Sequence, residues 1–348
     1  MNKVRCNIVF YSLLLRQYIK SHYVFIFNFY GHIWSQLLSK INRVLFIGSK
    51  QQGLRVLKTI YGLSPEVLVG VVTIDDRTDS RTNYKQFVNF CNQESIELTV
   101  ANNRKESQEI FRSYQADLCI VADWYWLIDE STLNSVPFGF IGIHNSLLPK
   151  YRGGSPLVWS VLNKDEYVGF SVFTLTPGMD DGPIWAQGRV KLLEEDYLST
   201  IREKIENKII DVLEENYLAI IDRKVKPYEQ QHHLATYCAQ RFPTDGLIDW
   251  MKNAHDVRCL IRASAEPNPG AYTYIHGKQL KILKAEVFDC TYYGSPGQVA
   301  KIDSERVYVI CGENTAIILE VVEFEGEKMH ASQIIKSIKV KLGVSNDS

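Results

Sequence analysis

From Arg43 onward the chain alternates short apolar runs with longer stretches of mixed polarity. RVLFIG (43–48) is an apolar run ended by glycine, and LRVLKTIYGL behind it has helical spacing, which predicts a strand, a turn and a helix. EVLVGVVTI (66–74), IELTV (96–100) and DLCIVA (117–122) are further strands, separated by the helical segments YKQFVNFCNQ and ESQEIFRSY. Alternation of this kind predicts an α/β domain, a doubly wound, mostly parallel, Rossmann-like sheet with helices on both faces. FGFIGIH (138–144), VGFSVFTLT (168–176) and IWAQGRVKL (184–192) extend that sheet.

A long helix is expected to begin near Thr200, with Thr200 and Glu203 as a capping-box pair and Ile201, Ile205, Ile209, Val212 and Leu213 along its apolar face. It closes a first domain over 42–224. Residues 225–243 are polar, hold a proline near each end and show no period, which predicts a linker. Beyond it, GLIDWMKNAHDVRCLIRA enters a helix, and the short segments AYTYI, KILKAEVF, GQVAKI, RVYVIC and AIILEVVEF follow between turns. That spacing predicts a small antiparallel, OB-like β-barrel over 244–340.

Residues 1–41 have a different character, with two early cations, an apolar stretch from Cys6 to Leu15 and then the aromatic-rich YVFIFNFYGHIW. The apolar stretch is too short to span a bilayer. We read the segment as a peripheral extension, with no membrane partner.

Across 348 residues, 39 Lys and Arg face 40 Asp and Glu, so the net charge of −1 offers no general attraction to nucleic acid or an anionic membrane. Seven cysteines are scattered without a CxxC pair. They indicate neither zinc nor a redox dithiol and fit reduced thiols in a cytoplasmic protein, and no metal is expected. The sequence leaves the oligomeric state open, a homodimer included.

Two features invite chemistry. The turn GSKQQG (48–53) opens a helix, where backbone N–H groups bind phosphate, but it matches neither GxGxxG nor GxxxxGK[ST] and reads as a tight turn. His144 and Asp180 are the more specific pair. Each lies just past the carboxyl end of a predicted strand, the edge at which open parallel sheets bind ligands. An imidazole there can exchange a proton near neutral pH, and a nearby carboxylate fixes its tautomer. The alternative is a capped strand end with a solvated turn. His232 and His233 lie in the linker without acidic or cysteine partners and read as exposed polar groups.

HNSLLPKYRGGSP (144–156) resembles the HxSLLPxxRG signature of the folate-dependent formyltransferases, and PGMDDG (177–182) resembles their GLDTG loop. The separation of 36 residues, 180 − 144, equals the family's spacing between catalytic histidine and aspartate. RFPTDGLIDW, CLIRASAEPNPGAY and SPGQVAKI are similar to the carboxy-terminal module of methionyl-tRNA formyltransferase and its relatives, so the resemblance runs over roughly 42–338.

The resemblance implies transfer of a formyl group from 10-formyltetrahydrofolate to an amine. His144 would then serve the carbonyl oxygen or relay the amine proton, and Asp180 would orient His144. It places the pterin against ADWYWLID, with Trp126, Leu127 and Ile128, and against the loop of Pro177 and Asp181, with Ser146 and Leu147 shaping the pocket. Trp124 and Trp126 are equally assigned to core or rim packing. Lys150 and Arg152 would meet an anionic group of the acceptor. One departure stands out. The family's NxH has asparagine two positions before the histidine, where this chain has Gly142, and Asn145 is a further site candidate although alternation on a strand turns it away from His144.

Three acceptors compete: a nucleotide-linked amino sugar, methionyl-tRNA and water, the last making the chain a 10-formyltetrahydrofolate hydrolase. A catalytically silent folate binder is a further alternative, suggested by Gly142. The tRNA enzymes of the family carry a basic insertion where this chain has the short, mixed-charge IDDRTDSRTNYKQF (74–87), and GGSPLVW stands where they tend to read GAAPIQ. Phosphate contacts dominate nucleic-acid affinity, so these features favour the amino sugar, with tRNA second.

Overall fold

The computed structural model describes residues 40–343; the expectations for the amino-terminal extension fall on residues outside these. In chain order the first sheet's elements are β1 (Val44–Gly48), α1 (Lys50–Leu63), β2 (Leu68–Ile74), α2 (Tyr84–Glu94), β3 (Leu98–Ala101), α3 (Arg104–Ser113), β4 (Leu118–Ala122), α4 (Glu130–Leu133) and β5 (Phe140–His144). β6 (Arg152–Gly153), α5 (Pro156–Leu162), β7 (Tyr167–Thr174), β8 (Ile184–Lys191) and α6 (Leu198–Ile221) follow. The strand order is β3-β2-β1-β4-β5-β7-β8.

β1 to β5 run parallel, whereas β7 pairs antiparallel with β5 and β8 antiparallel with β7. The sheet is therefore mostly parallel, as its buried apolar runs require. Every residue of β1 and β4 is buried, which is why neither shows the alternation of a half-exposed strand. Chain order reverses between β1 and β4, and the carboxyl ends of β1, β4 and β5 border that switch point, the crevice where open α/β sheets take ligands.

The long helix starts two residues earlier than Thr200. Tyr197 is its N-cap, and the Thr200 hydroxyl accepts from the Tyr197 N–H at 3.1 Å, so Thr200 stands in the first turn and the expected pairing with Glu203 is not the one formed. Its predicted apolar face, Ile201, Ile205, Ile209, Val212 and Leu213, is buried.

β9 (Tyr237–Cys238), α7 (Ala254–Ser264), β10 (Ala271–Ile275), β11 (Lys278–Phe288), β12 (Val299–Ile302), β13 (Val307–Ile310), β14 (Ala316–Phe324), β15 (Glu327–His330) and α8 (Ala331–Ile334) complete the chain. Six of these strands form an antiparallel sheet, β10-β11-β14-β13-β12 with β15 on β14. Register shifts in β11 and β12 bend it around a core that includes Trp250, Val257, Ile261, Leu280 and Ile317.

Residues 225–243 are bound to the first domain at more than one point. Tyr228 bridges Ile184, and β9 pairs with β6. No helix among the described residues is long and apolar enough to cross a membrane.

Candidate active site

β5 ends at His144 because the chain turns there, with the Ser146 N–H donating to the His144 carbonyl at 2.8 Å. The imidazole Nε2 lies 2.7 Å from the Tyr151 carbonyl oxygen. A carbonyl only accepts, so Nε2 carries the proton and Nδ1 is the nitrogen left for chemistry. Nδ1 faces Asp180 Oδ2 at 3.6 Å. That same Oδ2 accepts from the Gly153 N–H at 2.7 Å. The structure thus brings together the two residues that the motifs pair, on loops leaving β5 and β7.

The loop 176–183 is held by its own contacts. Asp180 has φ +47°, and Thr176 Oγ1 donates to Asp181. A Cβ on Gly182 would stand 1.9 Å from the Thr174 carbonyl oxygen, so only glycine fits there. Gln230, 5% exposed, ties the loop down: its Nε2 donates to the Asp180 carbonyl at 2.8 Å and to the Gly182 carbonyl at 2.7 Å.

A cavity of about 540 Å³ opens beside this pair, lined among others by Trp124, Trp126, Leu127, Ile128, Gly142, His144, Pro177 and Asp180. Leu127 is 78% exposed, and the backbone N–H groups of Leu127 and Ile128 have no hydrogen-bond partner among the described residues. Trp124 packs edge-on against Phe111 and Trp126, so it serves core and rim together.

Of the remaining residues that the motifs suggest, Trp126, Leu127, Ile128 and Pro177 line this cavity, while Ser146, Leu147 and Asp181 stand behind it. Ser146 is buried and its Oγ donates to the Lys150 carbonyl at 2.6 Å; Leu147 packs over Gly169. Asn145 lines a different, neighbouring cavity, as strand alternation requires, and its Oδ1 is buried without a partner.

Lys150 and Arg152 do not line either cavity, which corrects the expectation that they meet an anion of the acceptor. Lys150 is taken up by Asp165 at 2.7 Å. Arg152 is buried, donating to Gln230 Oε1 at 2.6 and 3.2 Å, to His232 Nδ1 at 3.0 Å and to the Tyr237 hydroxyl at 3.4 Å. His232 is therefore engaged in holding an arginine. Among the described residues no group of three or more His, Cys, Asp or Glu is arranged to hold a metal ion.

Gly142 is filled from the other side. A Cβ there would lie 2.6 Å from Leu175 Cδ2, so Leu175 occupies the direction in which an asparagine side chain would leave the strand. Gly142→Asn is expected to cost about 1–3 kcal/mol through overpacking without raising turnover, and Leu175→Ala in the same chain should recover most of the stability. Chemical unfolding of the single and double variants checks this; an unchanged midpoint for the single variant would contradict it.

Two further residues of the site are not singled out by any motif. Asp123 follows the buried run of β4, has φ +51°, borders the cavity and carries a buried Oδ2 without a partner. Burial raises its pKa to about 6, while Arg202 and the Gly53 N–H act in the opposite direction. The amide end of α1, whose sequence invites phosphate, thus faces the chain's own carboxylate. A charged residue at the carboxyl end of an apolar strand is the available signal for Asp123. Gln230 has none, since its role depends on contacts 48 and 50 positions away in the chain.

A family model described as formyl transferase matches residues 42–215, and one described as formyl transferase, C-terminal domain, matches 242–339. Methionyl-tRNA formyltransferase of Caldanaerobacter subterraneus subsp. tengcongensis is 31% identical over 294 residues, covering 82% of this chain and 94% of the relative. That of Agathobacter rectalis is 30% identical over 307 residues, covering 86% and 98%. Among solved structures, the N-formyltransferase from Helicobacter canadensis in complex with folinic acid and dTDP-3-aminofucose superposes with a TM-score of 0.63 at 15% identity, covering 80% of this chain and 98% of that one. HypX from Aquifex aeolicus in complex with tetrahydrofolic acid gives a TM-score of 0.58 at 15% identity, covering 86% and 48%. The structural likenesses speak for the fold alone, but two matched family models and near-complete alignment at 31% identity go further: this chain belongs to the formyl transferase family.

Proposed function

We propose that the protein transfers the formyl group of 10-formyltetrahydrofolate to the amino group of a nucleotide-linked sugar. The cavity suits a pterin on its own chemistry: its wall mixes apolar side chains such as Trp126, Leu127, Ile128 and Pro177 with polar ones, and the unpartnered N–H groups of Leu127 and Ile128 offer donors to a ring edge rich in acceptors. Trp126, Leu127, Ile128 and Pro177 would hold the folate, which when bound supplies the formyl carbon. His144 Nδ1 takes a proton from the incoming amine or presents one to the carbonyl oxygen as charge grows there. Asp180 keeps the ring aligned and balances the imidazolium.

One observation carries the choice of acceptor: the cations around the β2–α2 loop and on the second sheet are paired with the chain's own carboxylates. Between β2 and α2, Arg77 pairs with Asp75 at 2.6 Å, Arg81 with Asp79 at 2.8 Å, and Lys50 with Asp79 at 2.5 Å and Asp76 at 3.0 Å. Arg81 and Lys50 together hold the Asp79 carboxyl well below the usual range. On the second sheet Lys278, Lys281 and Lys284 pair with Glu325, Glu323 and Glu320. These surfaces offer no basic stripe of the kind that makes nucleic-acid binding strong.

The tRNA reading is supported by a different observation, the name and full-length alignment of the 31%-identical relative. A panel separates the two. With 10-formyltetrahydrofolate as donor, nucleotide-linked amino sugars are expected to gain formyl by mass, with kcat/KM at least ~100-fold above charged initiator tRNA, well within the discrimination that a site built to hydrogen-bond its substrate supplies. Preference for the tRNA would overturn this reading.

A further inference from the structure

The segment that follows the first domain reaches the catalytic pair through a short ladder. β6 and β9 pair Arg152 with Tyr237 and Gly153 with Cys238. Four backbone groups of the 149–154 loop are taken up by β9 and the residue before it. The Thr236 N–H donates to the Pro149 carbonyl at 3.2 Å, the Arg152 N–H to the Thr236 carbonyl at 2.9 Å, and the Gly154 N–H to the Cys238 carbonyl at 3.0 Å. A side chain makes the fourth bond: Thr236 Oγ1 accepts from the Tyr151 N–H at 2.9 Å.

The same loop carries a support for each member of the catalytic pair. The Tyr151 carbonyl receives His144 Nε2 at 2.7 Å, and the Gly153 N–H donates to Asp180 Oδ2 at 2.7 Å. In a regular ladder a residue turns its N–H and C=O to the same neighbour. Tyr151 divides them, the N–H to Thr236 and the C=O to His144, and can do so because its backbone is left-handed, with φ +58°. A bulky L side chain rarely adopts that region, so surrounding contacts must hold it there. The Tyr151 ring is buried, Asn163 Nδ2 donates to its hydroxyl at 2.9 Å, and Lys150 lies over its face. Among the described residues its N–H has one partner, Thr236 Oγ1. Cys238 Sγ, 3.5 Å from the Tyr151 carbonyl oxygen, is a weaker second donor to the atom that serves His144.

We infer that Thr236 is a positioning residue for the catalytic histidine: its hydroxyl holds Tyr151 in the left-handed conformation that aims the Tyr151 carbonyl at Nε2 of His144. This deepens the proposed function and rests on its assignment of His144, not on the choice of acceptor. The carbonyl keeps the proton on Nε2, which leaves Nδ1 for chemistry on the side of Asp180. Without the hydroxyl, Tyr151 can relax toward extended backbone, which turns its carbonyl away and lets the ring exchange tautomers. Thr236 itself is exposed and lines neither cavity, so its effect on the reaction passes through the loop it binds.

The test compares Thr236→Val and Thr236→Ser in the full chain. Valine keeps the branched shape and the backbone bonds but removes the acceptor; serine restores it. Thr236→Val is expected to lower kcat about ten-fold, part of what a misplacement of one ångström costs, with KM for the formyl donor and for the amine near the parent values. Thr236→Ser should recover most of the rate. Nitrogen-15 NMR reads the ring directly, the His144 signals being those missing from His144→Ala. The parent should show one tautomer, protonated on Nε2, and Thr236→Val a mixture. An unchanged ring signal in Thr236→Val overturns the inference, as does a serine variant that restores neither rate nor tautomer. If His144→Ala turns over normally while Thr236→Val alters the tautomer, the positioning stands and the catalytic reading of His144 falls. If His144→Ala is inactive and Thr236→Val leaves the ring signal unchanged, the catalytic reading survives and Thr236 has no part in it.

Discussion

Replacing His144 by alanine is expected to lower kcat for formyl transfer by about 10³-fold, within the range that a positioned acid or base contributes. The ring is fixed at both nitrogens: Nε2 donates to the Tyr151 carbonyl at 2.7 Å, and Nδ1 faces Asp180 at 3.6 Å. Its proton-handling nitrogen therefore has one orientation, toward the cavity that Leu127 and Pro177 border. Asp180→Asn should produce a loss of similar size. The amide oxygen can still accept from Gly153, so the loop keeps its path, but the charge that balances an imidazolium is gone. Groups acting as a unit are non-additive, so the double variant should be no slower than the slower single one. Product mass gives the rates, and thermal unfolding separates chemistry from folding. Near-normal turnover in both single variants would dismiss the pair.

Why the sequence makes this pair legible, and much of its support illegible, follows from how each is encoded. Apolar runs stop at His144 and before Asp180, and polar groups just past strand ends in an α/β sheet are placed by local pattern alone. The direction of β7 is different in kind. A run such as VGFSVFT is buried on both faces whether it runs parallel or antiparallel, so its pattern carries no sign of direction.

Side-chain direction in tertiary contacts is equally hidden. Arg152 in a polar, glycine-rich loop reads as free to meet an anion, yet it is 3% exposed because a segment some eighty positions later closes over it. Leu175 behind Gly142, Asp123 between two cavities, and Thr236 on Tyr151 are likewise products of packing between elements far apart in sequence. The 225–243 stretch is the sharpest case. Its lack of period is real, since its one strand, β9, is two residues long, but polar and aperiodic does not mean detached.

Gln230→Ala, a change in that stretch, is expected to cost about 3 kcal/mol of stability and about 100-fold in kcat. Gln230 satisfies three buried groups at once: the Arg152 guanidinium on its Oε1, and the Asp180 and Gly182 carbonyls on its Nε2. Removing it leaves a buried cation short of its main acceptor, and buried charges that lose a partner account for the largest single-residue losses. It also releases the backbone at Asp180, where a shift of one ångström is enough to spoil alignment with His144. The two effects can be separated. In Gln230→Met with Arg152→Met, both polar partners are replaced by apolar side chains of similar length, a change that is nearly neutral when shape is kept. Stability should then return in part, while turnover should not, because the Asp180 and Gly182 carbonyls still lack their donor. Recovery of both properties in the double variant would show that Gln230 serves only the buried arginine and leaves the position of Asp180 to the loop itself.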